Sequence, residues 1–354
     1  MADPTAGITP IPGNAPERPE SQFVTVEQHI MGHLQNHPAA NSEFIWLISA
    51  ITLSTKIISS HVHRAGLIDI WGATGDENVQ GETVQKLDRI ANDTLEKTLG
   101  YRGSVGIIAS EEDNEPKVLQ EVPSTGQYIV MFDPLDGSSN IDANVSIGTI
   151  WTIFRNIPHI DGAESSVLQP GVQQVAAGYV LYGSSTVLVY SIGRGVHMFT
   201  LEPQFGAFLL TRENIRMPEH APQYAVNEAY LNSFPQPYQD YLAWAKDDAN
   251  DHGGFSSRYV GSLVADFHRI LVKGGVFLYP PTHAQPDGKL RLMYECNPLA
   301  FIAEQAGGMA SDGANRILKK MPGNVHDRTS LVIGGKKNVE EVHKFTRADV
   351  AAAK

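Results

Sequence analysis

The sequence predicts an α/β protein of the α+β type, built in two parts. Three observations carry this expectation. Amphipathic helical spacing runs from Glu43 to Leu99, and short apolar runs separated by turn residues fill Val105 to Leu210. Helical and strand patterns then alternate from Met217 onward. A chain of 354 residues exceeds what one core usually serves. Two domains are therefore expected, 22–214 and 215–354, behind a tail at 1–21.

That tail is rich in Pro, Gly and Ala, lacks periodicity, and reads as mobile. Next, Phe44, Leu47, Ile48, Ile51, Ile58 and Val62 lie near one helical face, and Gly66 is a stop signal. Gly72 to Asn78 reads as an exposed, mobile loop rich in glycine and acids. A second helix is expected from about Glu82 to Leu99, with Val84, Leu87, Ala91, Leu95 and Leu99 inward and Gly100 as its cap. Strands follow at 105–109, 128–132, 147–154, 174–181, 186–191, 196–200 and 207–211. Many adjoin turn residues such as Gly183-Ser184-Ser185 and Gly193-Arg194-Gly195, which predicts a largely antiparallel or mixed sheet. Beyond Met217-Pro218-Glu219, helices at Tyr238–Ala249, Ser262–Val272 and Pro298–Gln305 alternate with strands at Val276–Tyr279 and Leu331–Ile333.

Composition narrows the class. Hydrophobic residues make up 42% and charged residues 19%, ordinary for a soluble globular chain. A net charge of −12 argues against a general nucleic-acid binder. Any phosphate-ester substrate must then be neutralised locally, by metal ions and a few placed bases. No uninterrupted apolar stretch of bilayer length and no basic-then-apolar leader is read, so no membrane association is expected. Cys296 is the single cysteine, which excludes an intrachain disulfide and fits a reducing, cytoplasmic setting.

The chemistry concentrates at Phe132-Asp133-Pro134-Leu135-Asp136-Gly137-Ser138-Ser139-Asn140. An apolar run leads into two acids, so both emerge at a strand's C-terminal end, where open α/β sheets place ligands. Pro134 biases Asp133 towards extended backbone, and Gly137 permits a conformation that a side chain forbids. The small residues after Asp136 can turn N–H groups towards an anion. Ser110-Glu111-Glu112-Asp113 repeats the pattern after a second apolar strand. Glu295 precedes Asn297-Pro298, read as N-cap and first helical residue, with Gly307-Gly308 closing that helix. If these junctions converge, Glu111, Glu112, Asp133, Asp136 and Glu295 form one oxygen-rich site, and the Leu135 carbonyl adds a ligand. So many ionised carboxylates need cations among them, and all-oxygen ligands favour Mg²⁺ or Mn²⁺ over Zn²⁺. Paired ions would clamp the attacking and leaving oxygens of a phosphoryl displacement. Asp266-Phe267-His268 lacks a second ligand at zinc spacing, and His268 reads as packed or capping.

From about residue 23 to 345 the chain resembles class I fructose-1,6-bisphosphatases, within the lithium-sensitive, metal-dependent phosphatase superfamily. The resemblance rests on Ser110–Asp113, Asp133–Asp142, Asn227-Glu228-Ala229-Tyr230, Arg258–Asp266 and Lys289–Pro298, in order and spacing. It implies a layered α-β-α-β-α sandwich of two packed subdomains. It also implies hydrolysis of the 1-phosphate of fructose 1,6-bisphosphate, giving fructose 6-phosphate and phosphate in gluconeogenesis or carbon fixation. Roles follow residue by residue. Glu111, Glu112, Asp133, Leu135, Asp136 and Glu295 would hold two or more Mg²⁺ per subunit. Asp88 and Glu112, with Glu82, would activate the attacking water. Asp136, Gly137, Ser138 and Ser139 would meet the 1-phosphate, with Lys289 and Arg291 beside it. Asn227, Tyr230, Tyr259 and Tyr279 would grip the 6-phosphate. Arg258 would reach a neighbouring subunit's 6-phosphate, which implies a homo-oligomer, a tetramer.

Two departures stand out. Glu82 occupies a position where the family's mobile loop carries Asp. The family's AMP site uses small hydroxyl residues at the first helix and a Lys-Tyr pair. Here these stretches read Asn41-Ser42-Glu43-Phe44-Ile45 and Gln127-Tyr128, with Tyr128 and Arg155 retained. Weak or absent AMP inhibition is expected. Two other readings are a broader bisphosphatase that also takes sedoheptulose 1,7-bisphosphate, and a non-catalytic sugar-phosphate sensor. A sensor would be expected to lack one of the five acids, and none is missing.

Overall fold

The computed structural model describes residues 23–34, 42–68, 73–77, 83–101, 103–119, 126–157, 162–250 and 253–352. A small hairpin pairs β1 (Ala73–Glu77) with β2 (Thr83–Gln85). The large sheet has eight strands: β3 (Val105–Ser110), β4 (Lys117–Val118), β5 (Tyr128–Asp136), β6 (Ile147–Arg155), β7 (Ala176–Tyr182), β8 (Thr186–Ser191), β9 (His197–Glu202) and β10 (Ala207–Arg212). Their order is β10-β9-β8-β7-β6-β5-β3-β4, with β3 and β5 parallel and the other neighbours antiparallel. The mixed sheet expected from the turn spacing is therefore present.

A second sheet holds five strands: β11 (Gln223–Ala225), β12 (Ser256–Ser257), β13 (Val276–Tyr279), β15 (Met309–Ser311) and β17 (Leu331–Gly334), in the order β12-β11-β13-β17-β15. Between them in sequence, β14 (Leu290–Arg291) pairs with β16 (Arg328–Thr329). The helices are α1 (Val26–Leu34), α2 (Ser42–Val62), α3 (Lys86–Gly100), α4 (Ala163–Val167), α5 (Gln236–Lys246), α6 (Leu263–Lys273), α7 (Asn297–Gln305) and α8 (Lys336–Ala352).

Strand alternation sorts the core into three slabs. Tyr128, Val130 and Phe132 of β5 face Phe44, Leu47 and Ile51 of α2 and Leu87, Ala91 and Leu95 of α3. Ile129 and Met131 point the other way, into a slab shared with Val264 and Phe267 of α6 and Leu299, Ala300 and Ala303 of α7. Phe277, Leu331 and Ile333 close that slab from the second sheet, while Val276, Leu278 and Val332 turn outward onto Tyr241 and Leu242 of α5 and Val339 and Val342 of α8. The result is the α-β-α-β-α sandwich. Both sheets are covered on both faces, so their strands read as near-continuous apolar runs rather than alternating ones.

The structure corrects several local readings. Ala73–Glu77 is a strand, where an exposed loop was expected. Thr83–Gln85 is also a strand, so α3 begins at Lys86, four residues later than read. Gly100 is the last residue of that helix, and Tyr101 follows it as the cap. Asn297 is not an N-cap. A π-helical turn at Leu292–Cys296 runs directly into α7, and Asn297 has helical φ −61° and ψ −50°. The tail at 1–21 lies outside the described residues. Finally, α2 is long and apolar enough to cross a membrane, with mean hydropathy 1.3 over its best window. It packs as a core helix on the large sheet instead, and exposes Trp46, Leu53 and Ile57.

Candidate active site

Two acids three positions apart on a regular strand would point to opposite faces, because side chains alternate with period 2. A bulge resolves this. Asp133 pairs with Ile150 and Asp136 with Gly148, so β5 holds one residue more than β6 between these points. The extra residue reverses the alternation and brings both carboxylates to one side. The bulge is pinned locally: Asp133 Oδ1 accepts the Leu135 N–H at 2.9 Å, and Thr149 Oγ1 donates to the Pro134 carbonyl at 2.9 Å. Gly137 then turns the chain at φ +78°, into a 3₁₀ turn at Ser138–Asn140. The leading N–H groups of such a turn lack intrahelical acceptors and can face an anion. A Cβ at position 137 would also lie 3.0 Å from Ser262 Oγ.

One carboxylate oxygen from each of Asp133, Asp136 and Glu295 falls within 4.8 Å of the others, and all three residues are buried. β5 contributes the two aspartates and the π turn contributes Glu295. Burial, then the charges of Glu111, Asp136 and Glu295, push Asp133 well above the usual carboxylate range. Burial likewise raises Asp136 to about 7, even though a backbone hydrogen bond from Val264 opposes the shift. Burial and Glu111 also raise Glu295 strongly. A side-chain hydrogen bond links Glu111 to Asp133, and Arg291 Nε stands 3.2 Å from Glu111 Oε1. Such a group holds more negative charge than its one buried guanidinium offsets. That imbalance, with an all-oxygen donor set, fits a hard divalent cation.

The neighbouring elements aim these acids. Glu111 and Glu112 follow β3, whose Ser110 Oγ donates to Asn92 Oδ1 of α3 at 2.6 Å. Asp88 lies one turn earlier on the same helix, buried, and accepts the Gln85 N–H at 2.9 Å in a capping box. The structure thus sets Asp88 on the α3 face that meets the end of β3.

A second region faces solvent. Asn227, Tyr230, Tyr279 and Lys289 line a cavity of about 280 Å³ with Phe234 and Gln285. Tyr259 is a hydrogen-bond partner of Asn227, and Arg258 is exposed beside it. One segment joins the two regions. Asp136 Oδ2 accepts from the Val264 N–H at 2.8 Å and from Ser262 Oγ at 3.2 Å. Asn140 Nδ2 donates to the Gly261 carbonyl at 3.0 Å. Asp266 receives the N–H groups of Val260 and Gly261, each at 2.9 Å. Residues 258–264 therefore carry Arg258 and Tyr259 at one end and grip Asp136 at the other.

Not every expected residue joins these regions. Arg291 is 2% exposed, paired with Glu111 and donating to the Lys289 carbonyl. In this structure its guanidinium stands as a counter-ion to Glu111. Glu82 lies outside the described residues. Tyr128 is fully buried, with the Arg155 guanidinium 4.7 Å above its ring and Phe44 at 5.7 Å. Sequence reasoning missed Ser262 and Asp266 as positioning residues. The available signal was an acid, Asp266, in the first turn of a helix, where a carboxylate is favoured near free N–H groups. His268 is packed, as expected: its Nδ1 meets Tyr179 Oη at 2.8 Å.

Comparison with known proteins adds an independent line. The family described as fructose-1-6-bisphosphatase, N-terminal domain, matches residues 24–213, and its C-terminal domain matches 217–347. A class 1 fructose-1,6-bisphosphatase of Chloroherpeton thalassium is 48% identical over 326 residues, covering 91% of this chain and 93% of that one. The holo form of Leishmania major fructose-1,6-bisphosphatase superposes with a TM-score of 0.86 at 37% identity, over 92% of this chain and all of that one. The T-state of the same enzyme gives 0.82 at 36% identity, over 92% of this chain and 99% of that one. With the buried acids, the linked cavity and these matches together, the chain belongs to the class 1 fructose-1,6-bisphosphatase family.

Proposed function

We propose that this enzyme hydrolyses the 1-phosphate of fructose 1,6-bisphosphate at the carboxylate cluster and anchors the 6-phosphate in the tyrosine-lined cavity. The observation that carries this reading is the 258–264 segment, which grips Asp136 at one end and at the other meets Asn227, a residue lining the cavity, through Tyr259. Asp133, Asp136, Glu295, Glu111, Glu112 and the Leu135 carbonyl would hold Mg²⁺, or Mn²⁺, at two or more positions. When bound, such ions polarise phosphoryl oxygens and lower the pKa of water.

The protein groups do the rest. N–H groups and hydroxyls at Gly137, Ser138 and Ser139 orient the 1-phosphate, with Lys289 beside it. Glu112, supported by Asp88, takes the proton of the attacking water. Neutral donors of Asn227, Tyr230, Tyr259 and Tyr279 hold the other phosphate, which must bind without reacting. Arg258 is exposed and free to serve a neighbouring subunit's site. The exposed Trp46, Leu53 and Ile57 on one face of α2 support an oligomer, and a tetramer would bring four sites together.

Mg²⁺-dependent phosphate release across a panel of sugar bisphosphates tests this. Fructose 1,6-bisphosphate should give the highest kcat/KM, and Asp133→Ala should abolish turnover. A higher kcat/KM for sedoheptulose 1,7-bisphosphate would overturn the substrate assignment.

A further inference from the structure

At the edge of the large sheet opposite the acids, three histidines meet. His29 and His33 stand one turn apart on α1, and His197 opens β9. One ring nitrogen of each falls within 4.8 Å of the others. The His29 and His33 rings stack with centroids 4.1 Å apart, and His197 lies 4.3 Å from His29. A carboxylate stands beside two of the three. Glu213 Oε1 is 3.4 Å from His29 Nε2 and 3.5 Å from His33 Nε2.

The outward nitrogens are already engaged, which fixes where the lone pairs point. His33 Nδ1 donates to the His29 carbonyl at 2.9 Å, leaving Nε2 as the lone-pair atom. His29 Nδ1 meets Tyr190 Oη at 2.7 Å, and its Nε2 is buried without a hydrogen-bond partner. The His29 side chain is only 4% exposed, so solvent does not satisfy that atom. His197 Nε2 faces the Arg194 carbonyl at 3.1 Å, and its Nδ1 accepts a long hydrogen bond from the Asn214 N–H at 3.4 Å, which a metal ion on Nδ1 would displace. Ligating histidines commonly show this arrangement, one nitrogen held by an oxygen and the other presented inward.

Two ligand-to-ligand distances can be set against a tetrahedron's edge, and the three histidine nitrogens lie within 4.8 Å of one another. Zn–N and Zn–O bonds of about 2.0–2.1 Å at tetrahedral angles put ligand atoms about 3.3 Å apart. The two Glu213 contacts, at 3.4 and 3.5 Å, are close to that edge length. Histidine-rich donors with one carboxylate suit Zn²⁺ rather than Mg²⁺ or Ca²⁺. We propose that His29, His33, His197 and Glu213 form a four-coordinate Zn²⁺ site, distinct from the catalytic acids, that pins α1 to the β9–β10 edge of the large sheet. The pin would add to ties already present: the Leu210 N–H to the Val24 carbonyl at 2.9 Å, a bridge from Thr25 to Leu209, an Arg194 contact to the His33 carbonyl at 3.2 Å, and Val26 and Ile30 buried in the core.

Co²⁺ is the spectroscopic probe and Zn²⁺ the competitor, used on the full-length protein. Asp133→Asn disables the catalytic acids, so metal held there does not confuse the reading. This variant should still show the intense visible bands of four-coordinate Co²⁺, and Zn²⁺ should displace them. His33→Gln and Glu213→Gln, each added to that background, should remove the bands and weaken Zn²⁺ binding at least about 10-fold. Both changes fall at partly exposed side chains, so the fold should survive, as circular dichroism would check. Zn²⁺ should also slow amide exchange in α1 in the parent but not in the variants. Weak six-coordinate bands in the Asp133→Asn protein, or bands unchanged by both added substitutions, would overturn the proposal.

Discussion

Replacing Asp136 by Asn should stabilise the metal-free protein at pH 8 while destroying its activity. Without metal, burial raises Asp136 from an ordinary 3.8 to about 7. An acid whose folded pKa is raised costs nothing below its unfolded pKa, where both states are protonated. The cost grows as pH climbs from about 4 and is complete above about 7. At about 1.4 kcal/mol per pH unit, that span corresponds to about 4 kcal/mol at pH 8 and about 2 kcal/mol at pH 5. Asn carries no charge and can still accept from Val264 and Ser262. Its advantage over wild type should therefore shrink by about 2–3 kcal/mol on going from pH 8 to pH 5. Asp133 and Glu295 are raised in the same direction, so the wild-type slope should persist in part in the variant. Urea unfolding in EDTA at both pH values measures this. Adding Mg²⁺ should reverse the order, because only wild type retains the full ligand set. A variant no more stable than wild type at pH 8, or an advantage independent of pH, would refute the reasoning.

Glu112→Gln should lower kcat by about 10²–10⁴ with little change in KM, the loss typical of a removed proton acceptor, as steady-state kinetics would show. Arg258→Ala should raise KM for the bisphosphate by about 10–100-fold with a smaller change in kcat, since it removes charged hydrogen bonds to the non-reacting phosphate. AMP should inhibit weakly or not at all, because Tyr128 is buried beneath Arg155 and Gln127 brings no charge; sub-micromolar inhibition in a steady-state assay would contradict this. Gly178→Ala should destabilise the fold by about 1–3 kcal/mol or more, because a Cβ there would sit 2.2 Å from Trp151 Cζ2; thermal melts would reveal it.

Strands and helices buried on one or two faces were legible because burial leaves a periodic apolar record. β5, β8 and β13 fall within a few residues of their expected positions. α1 left little record: Val26 and Ile30 are the buried ones among its described apolar side chains, and its histidines serve other contacts. The hairpin at Ala73–Glu77 is composed of turn formers, and its pairing with β2 overrode their local preference. At the site, residue types showed which acids were present but not how they were aimed. Neither the bulge at Pro134-Leu135 nor the inward turn of Arg291 follows from spacing, since both depend on what β6 and the π turn place alongside.

Asp136 has two oxygens with two separate employments. Oδ2 holds the start of α6 and, through it, the 258–264 segment; under the proposed mechanism the other oxygen would meet a cation. Anything that fixes one half of this carboxylate narrows the freedom of the other. Thermodynamic reciprocity then makes two effects equal: the factor by which a ligand that settles Arg258 and Tyr259 changes cation binding, and the factor by which the cation changes that ligand's binding. A sugar bearing only the distal phosphate is then a probe of metal affinity: whatever it does to a cation at the acids, the cation does in equal measure to it.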